Sequence, residues 1–154
     1  MGLWGEYENK WYRISEYYYN SRLTQTSKTD EEYYVELTKL CENKKINAIV
    51  IDPSAASFIE CIRRHNNFKV IPAKNDVLQG IQRVCDALNK KEIFINQNCF
   101  DTIREFETYS WQNGFETDRP KKENDHAMDD IRYFVGTILQ NNLNDDFFVF
   151  SAQR

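Results

Sequence analysis

The chain is poor in the residues that break structure: 5 glycines and 3 prolines among 154 residues, too few for a linker or a low-complexity segment. It has no long hydrophobic run. The longest apolar stretch, Ala48 to Ile51, is far short of the ~20 residues that span a bilayer as a helix. The opening Met-Gly-Leu-Trp-Gly-Glu has neither a basic region nor an apolar core, so no signal peptide is expected. There is no surplus of positive charge: 20 Lys and Arg stand against 24 Asp and Glu, giving a net charge of -4 and a pI near 5.3. That argues against a protein that coats nucleic acid by bulk charge. It leaves room for an enzyme that gathers carboxylates at a metal site and places Lys and Arg locally around it. No C-x-x-C pair occurs among Cys41, Cys61, Cys85 and Cys99. Each lies in or beside an apolar periodic segment, which predicts buried free thiols in a reducing cytoplasm. Also absent are a G-x-x-x-x-G-K-[ST] loop, a G-x-G-x-x-G turn, an H-E-x-x-H pair and a nucleophile elbow.

What is present suits one domain with a real core, since 41% of the residues are hydrophobic and no internal repeat or composition break divides the chain. Leu3 to Tyr7 and Trp11 to Tyr19 are aromatic-rich and partly alternating, with Glu8-Asn9-Lys10 as a turn, so a β-hairpin is expected, its tyrosines forming cross-strand pairs. Thr29 and Glu32 form a capping box ahead of a helix with Tyr33, Leu37, Leu40 and Cys41 on its core face. Ile46 to Ile51 reads as a strand covered on both faces. Ala55, Phe58, Ile59 and Ile62 predict a helix, and Phe68 to Ile71 a short strand. Asp76 is expected to cap a helix facing inward through Val77, Ile81, Val84, Cys85 and Leu88. Glu92 to Ile95 reads as a strand, and Asn98 as the cap of a helix buried through Phe100, Ile103 and Phe106. A polar loop follows, then a helix from about Asp125 with Ile131, Phe134, Val135 and Ile138 inward. The order predicts a mixed sheet with helices on its faces.

Three features could carry chemistry. Asp52 stands where a buried strand gives way to a helix, the position at which ligands bind in open α/β sheets; it also suits a plain N-cap followed by Pro53. In Asp125-His126-Ala127-Met128-Asp129, His126 and Asp129 share a helix face and Asp125 adjoins Asp129. Hard divalent cations take such oxygen ligands, although acidic residues also favour any helix start. Lys69, Lys74, Arg83, Lys121 and Lys122 could contact a DNA backbone, which positions without reading sequence.

Together, Ile51-Asp52-Pro53-Ser54-Ala55-Ala56-Ser57, Asn75-Asp76-Val77-Leu78-Gln79-Gly80-Ile81 and Asn124-Asp125-His126-Ala127-Met128-Asp129 running into Ile131-Arg132-Tyr133 resemble the C-terminal nuclease domain of phage terminase large subunits. The Gly2-Leu3-Trp4-Gly5-Glu6-Tyr7 start and the segment Lys28 to Glu32 fit the same family. The resemblance implies an RNase H-like α/β fold over residues 1–139, with 140–154 as a C-terminal tail. It implies endonucleolytic cleavage of concatemeric double-stranded DNA by two Mg2+ or Mn2+ ions, about 3.5–4 Å apart. On this resemblance Asp52 and Asp129 match the family's second and third metal-binding aspartates, with His126 and Asp125 beside them. Lys74, Arg83, Lys121 and Lys122 are then candidate DNA contacts. The family's first metal-binding aspartate precedes the hairpin on a central strand, and no residue here matches it. An N-terminally truncated sheet with unpaired inner edges, impaired cutting and self-association are therefore expected. The partners implied are phage DNA, an ATPase domain, the small terminase subunit and the portal, in the cytoplasm of a bacterial host and away from membranes. The alternative is a prophage remnant or docking module that keeps the scaffold without cutting.

Overall fold

Glu8 and Asn9 take left-handed backbone angles, with φ of 51° and 60°, as a two-residue hairpin turn requires if it is to match the twist of its strands. In a computed structural model, which describes residues 1–111, 120–121, 125–141 and 147–151, this turn joins β1 (Gly2–Tyr7) to β2 (Lys10–Glu16). There follow α1 (Ser21–Thr24), α2 (Asp30–Leu40), β3 (Ile46–Ile51), α3 (Ala56–His65) and β4 (Val70–Pro72). The second half supplies α4 (Val77–Asn89), β5 (Ile93–Ile95), α5 (Phe100–Thr108), α6 (His126–Thr137), a 3-10 turn (Leu139–Asn141) and β6 (Phe147–Ser151). The expected mixed α/β sheet flanked by helices is what forms, in the order β4-β3-β6-β1-β2-β5.

The segment expected to be a tail supplies the middle of that sheet. β6 runs antiparallel to β1, with Gly2 opposite Phe150, and parallel to β3, with Ile51 opposite Ser151. The unpaired inner edges expected of β1 and β3 are therefore taken up. Phe147-Phe148-Val149-Phe150 is rich in strand-forming residues, and two open edges with a gap between them offer it a full ladder on each side.

Side chains alternate across the strands, so the sheet separates two cores. Trp4, Ala48 and Val50 face α6 and α4, where Val84, Ile131, Phe134 and Val135 are buried. Leu3, Ile49 and Ile51 face α2 and α3, against Leu37, Phe58, Cys61 and Ile62. Phe134 stacks on Trp4 with ring centroids 4.0 Å apart and meets Trp11 edge-on at 5.1 Å. The hairpin tryptophans thus grip the helix above them, while Tyr12 makes a cross-strand stack with Phe94 of β5.

Several helix faces differ from the periodicity. α4 buries Gly80, Val84 and Ala87, while Val77 and Cys85 are exposed. Ile81, Cys85 and Leu88 line a cavity of about 230 Å³ between α4, α5 and α6. α5 turns over further: Phe100 and Ile103 face solvent and Thr102 and Glu105 are buried. The reason is capping. Neither α5 nor α6 has a cap of its own: Cys99 and Asp125 sit at the cap positions without side-chain bonds. Glu16, at the end of β2, accepts from Asp101 N at 2.8 Å and Thr102 N at 3.2 Å. Glu105 accepts from Ala127 N at 2.7 Å and from the Tyr18 hydroxyl at 2.6 Å. Satisfying two helix N-termini, each favouring negative charge, outweighs burial of Phe100 and Ile103. Asn98 and Asp76 are likewise not side-chain caps. The Thr29–Glu32 capping box forms as expected.

Arg13 of β2 and Asp130 of α6 are each 1% exposed and bond through Arg13 Nη1 and Asp130 Oδ2 at 2.8 Å. Arg13→Met is expected to lower unfolding stability in urea by about 3–5 kcal/mol, because it strands a buried carboxylate. Arg13→Met combined with Asp130→Leu should recover most of that loss. A double variant no more stable than the single one would show that the pair does not act as a unit.

Candidate functional site

Asp52 is the first residue beyond β3, and only 6% of it is exposed. It is not a plain N-cap: α3 begins at Ala56, with Ala55 at the cap position. Asp52 Oδ1 accepts from Ser54 N at 2.9 Å, a local turn bond typical of aspartate. Asp52 Oδ2 accepts from the Tyr133 hydroxyl at 2.5 Å, 81 residues away. Burial first, then the bond to Asp52, hold the Tyr133 hydroxyl far above the usual tyrosine range, so this group donates at any working pH.

Asp129 lies one helical turn before Tyr133 and is also buried. Arg132 Nη2 bonds Asp129 Oδ1, while Arg132 Nη1 donates to the carbonyls of Asp76 at 3.0 Å and Asn75 at 3.4 Å. A Cβ on Gly80 would stand 3.2 Å from Arg132 Cδ, so a glycine there lets α4 approach this arginine closely. Asp125 is buried, and its carbonyl accepts from Asp129 N at 2.8 Å. Tyr109 is pushed up to about 12, chiefly by burial, with Asp129, Asp125 and Glu105 contributing. Its hydroxyl is buried and has no hydrogen-bond partner among the described residues. His126 is exposed at the start of α6, its ring centred 6.1 Å from that of Tyr18.

The structure thus bonds Asp52 to the hydroxyl of Tyr133, a residue one helical turn beyond Asp129 on α6. Asp125 lies one helical turn before Asp129, and His126 is exposed at the start of α6. Among the described residues, these four do not bring three ligand atoms within 4.8 Å of one another. The donors are oxygen-rich, which fits a hard cation such as Mg2+ or Mn2+, and the orphaned Tyr109 hydroxyl and Arg132 Nε mark unfinished polar surroundings. Two carboxylates suit one ion better than two. Tyr133, Arg132, Tyr109 and Glu105 had no role in the sequence reading; only the spacing of Tyr133, four after Asp129, pointed to a shared face.

Of the basic candidates, Lys74 and Arg83 come together: a Cβ on Gly136 would lie 3.6 Å from Lys74 Cβ and 4.0 Å from Arg83 Nη1. Gly136 is seven residues beyond Asp129, about 10 Å along α6. Lys121 is exposed, its backbone N donating to Ser110 O at 2.9 Å. Lys122 falls outside the described residues.

Tyr133→Phe is expected to cost about 1.5–3 kcal/mol in urea unfolding, the range for a hydrogen bond to a charged group. The same change in an Asp52→Asn background should cost clearly less. Equal losses in both backgrounds would show that the two groups are not coupled.

No protein-family profile matches the chain. The large terminase subunit of Escherichia phage T5 is 25% identical over 133 residues, which is 82% of this chain and 30% of that protein. The large terminase of the thermophilic bacteriophage D6E, solved in complex with ADP, is 47% identical, with a TM-score of 0.86 over 90% of this chain. A further crystal form of the D6E protein is equally identical, with a TM-score of 0.85. The chain spans about a third of the length of these relatives. Over most of its length it has the sequence pattern and the fold of a domain-sized part of a phage terminase large subunit.

Proposed function

We propose that this chain is the RNase H-like nuclease domain of a DNA-packaging terminase large subunit, and that Asp52 and Asp129 hold a catalytic divalent cation. The observation that supports the reading is the hydrogen bond from Tyr133, one helical turn beyond Asp129, to the buried carboxylate of Asp52, 81 positions away in the sequence. The site lies at the carboxyl end of a central strand, where α/β sheets bind their ligands. Bound Mg2+ or Mn2+ would activate water and neutralise charge on the phosphate. Tyr133 orients Asp52 by donating to one of its oxygens. Arg132 orients Asp129 and offsets part of the negative charge. His126, at the rim, is placed to exchange protons with solvent and substrate. Lys74 and Arg83, further along α6, would hold the DNA backbone, with Lys121 and Lys122 as added contacts, and Asp125 would lend charge from behind. The substrate is double-stranded phage DNA in the cytoplasm of a bacterial host. The ATPase domain, small terminase subunit and portal are the partners this assignment brings, and ATP chemistry belongs to that other domain because no P-loop occurs here.

A second reading, an impaired or non-cutting module, is favoured by the central strand. β6 pairs Ser151 with Ile51, the residue before Asp52, and its sequence Phe147–Ser151 contains no aspartate or glutamate. Both readings meet in one assay, the nicking of supercoiled plasmid by the purified chain with Mn2+. Slow nicking that Asp52→Ala abolishes is the expected result. No nicking at all would favour the non-cutting module. Brisk, Asp52-dependent nicking would contradict the incomplete site, and nicking that survives Asp52→Ala would overturn the assignment of Asp52.

A further inference from the structure

On the opposite face of the sheet, away from α6, helices α2 and α3 bring together Glu31, Cys61 and His65. One ligand atom from each lies within 4.8 Å of the other two. Cys61 and His65 are four residues apart on α3 and share a face. Glu31 comes from the first turn of α2, whose start is fixed by the Thr29–Glu32 capping box. Glu31 Oε2 lies 2.8 Å from His65 Nε2, and Arg64 Nη2 holds the other oxygen at 3.3 Å. The Cys61 thiol lies within 4.8 Å of the same carboxylate. The imidazole is already oriented: it stacks on Tyr34 with centroids 3.8 Å apart and planes 6° from parallel, and Asn67 Nδ2 donates to the Tyr34 hydroxyl at 2.8 Å.

We propose that Glu31, Cys61 and His65 form a second metal site, for a borderline-soft dication of the zinc type, with a fourth position open to water. One thiolate, one imidazole and one carboxylate make a tetrahedral zinc set with one place vacant. The thiol separates this site from the all-oxygen donors around Asp52, because sulfur selects zinc-like ions and disfavours magnesium. Binding releases the thiol proton to solvent and leaves the Zn–S bond in its place. Because the thiol must lose its proton to bind the ion, affinity rises with pH. The ion would tie the start of α2 to the last turn of α3, clamping the layer that covers Ile49 and Ile51. Nothing in this depends on the nuclease reading.

The test is titration of the EDTA-treated chain with Co2+, followed by thiolate-to-cobalt charge-transfer absorption. We expect one equivalent to bind, displaced by Zn2+ and not by excess Mg2+. The absorption should vanish in Cys61→Ser and persist in Cys85→Ser and Asp52→Asn. His65→Ala alters an accessible side chain and leaves the fold intact by circular dichroism; it should weaken binding about tenfold or more, since even the loss of an outer partner costs that much. No charge-transfer band, or a band unchanged in Cys61→Ser or in folded His65→Ala, would overturn the proposal.

Discussion

A helix with no solvent face must find a partner inside the protein for each polar group it carries, and α6 is such a helix: every residue from Ala127 to Thr137 is buried. Unpaired, its two aspartates and one arginine would each cost several kcal/mol. The remaining architecture supplies their partners. Arg13 on β2 meets Asp130, Arg132 meets Asp129 on the same helix, and Thr137 accepts from Lys74 N at 3.0 Å. Tyr133 spends its donor on Asp52, and the helix start is closed by Glu105 from α5. Apart from the Arg132–Asp129 pair within the helix, these bonds tie α6 to β2, to the end of β3, to α5 and to the segment that leads into α4.

The candidate site follows from the same constraint. Asp52 is held against the helix that carries Asp129 because a strand end and a buried helix are locked through the Tyr133 hydroxyl, and the low exposure of both carboxylates is a by-product of where α6 lies. The arginine beside Asp129 leaves the site with less net negative charge than two free carboxylates would give, which favours a single ion over a closely spaced pair.

Much of the scaffold was legible in the sequence. β3 shows itself as an unbroken β-branched run, the α2 start as Thr29 and Glu32, and α6 as Ile131, Phe134, Val135 and Ile138 at helical spacing. The hairpin turn was placed, although β2 ends at Glu16 rather than Tyr19, and β4 runs to Pro72 rather than stopping at Ile71. Periodicity failed where long-range polar bonds decided the outcome. α5 carries apolar residues on one face and buries the other, because Glu105 and Thr102 satisfy groups far away in sequence. β6 was not legible for a different reason: its residues read as a strand only once the gap between β1 and β3 is known. Asp52 and Asp129 stood out by their motifs, while Tyr133, which bonds Asp52, looks like an ordinary core aromatic until its hydroxyl is located.

The most direct measurement is paramagnetic broadening in the amide NMR spectrum of the isotopically labelled chain on addition of substoichiometric Mn2+. If Asp52 and Asp129 share one ion, the signals of Asp52, Ser54, Asp129 and Tyr133 should broaden first and together, and those of Lys39 and Lys90 last. Broadening centred elsewhere, or at Asp52 with Asp129 untouched, would contradict the account.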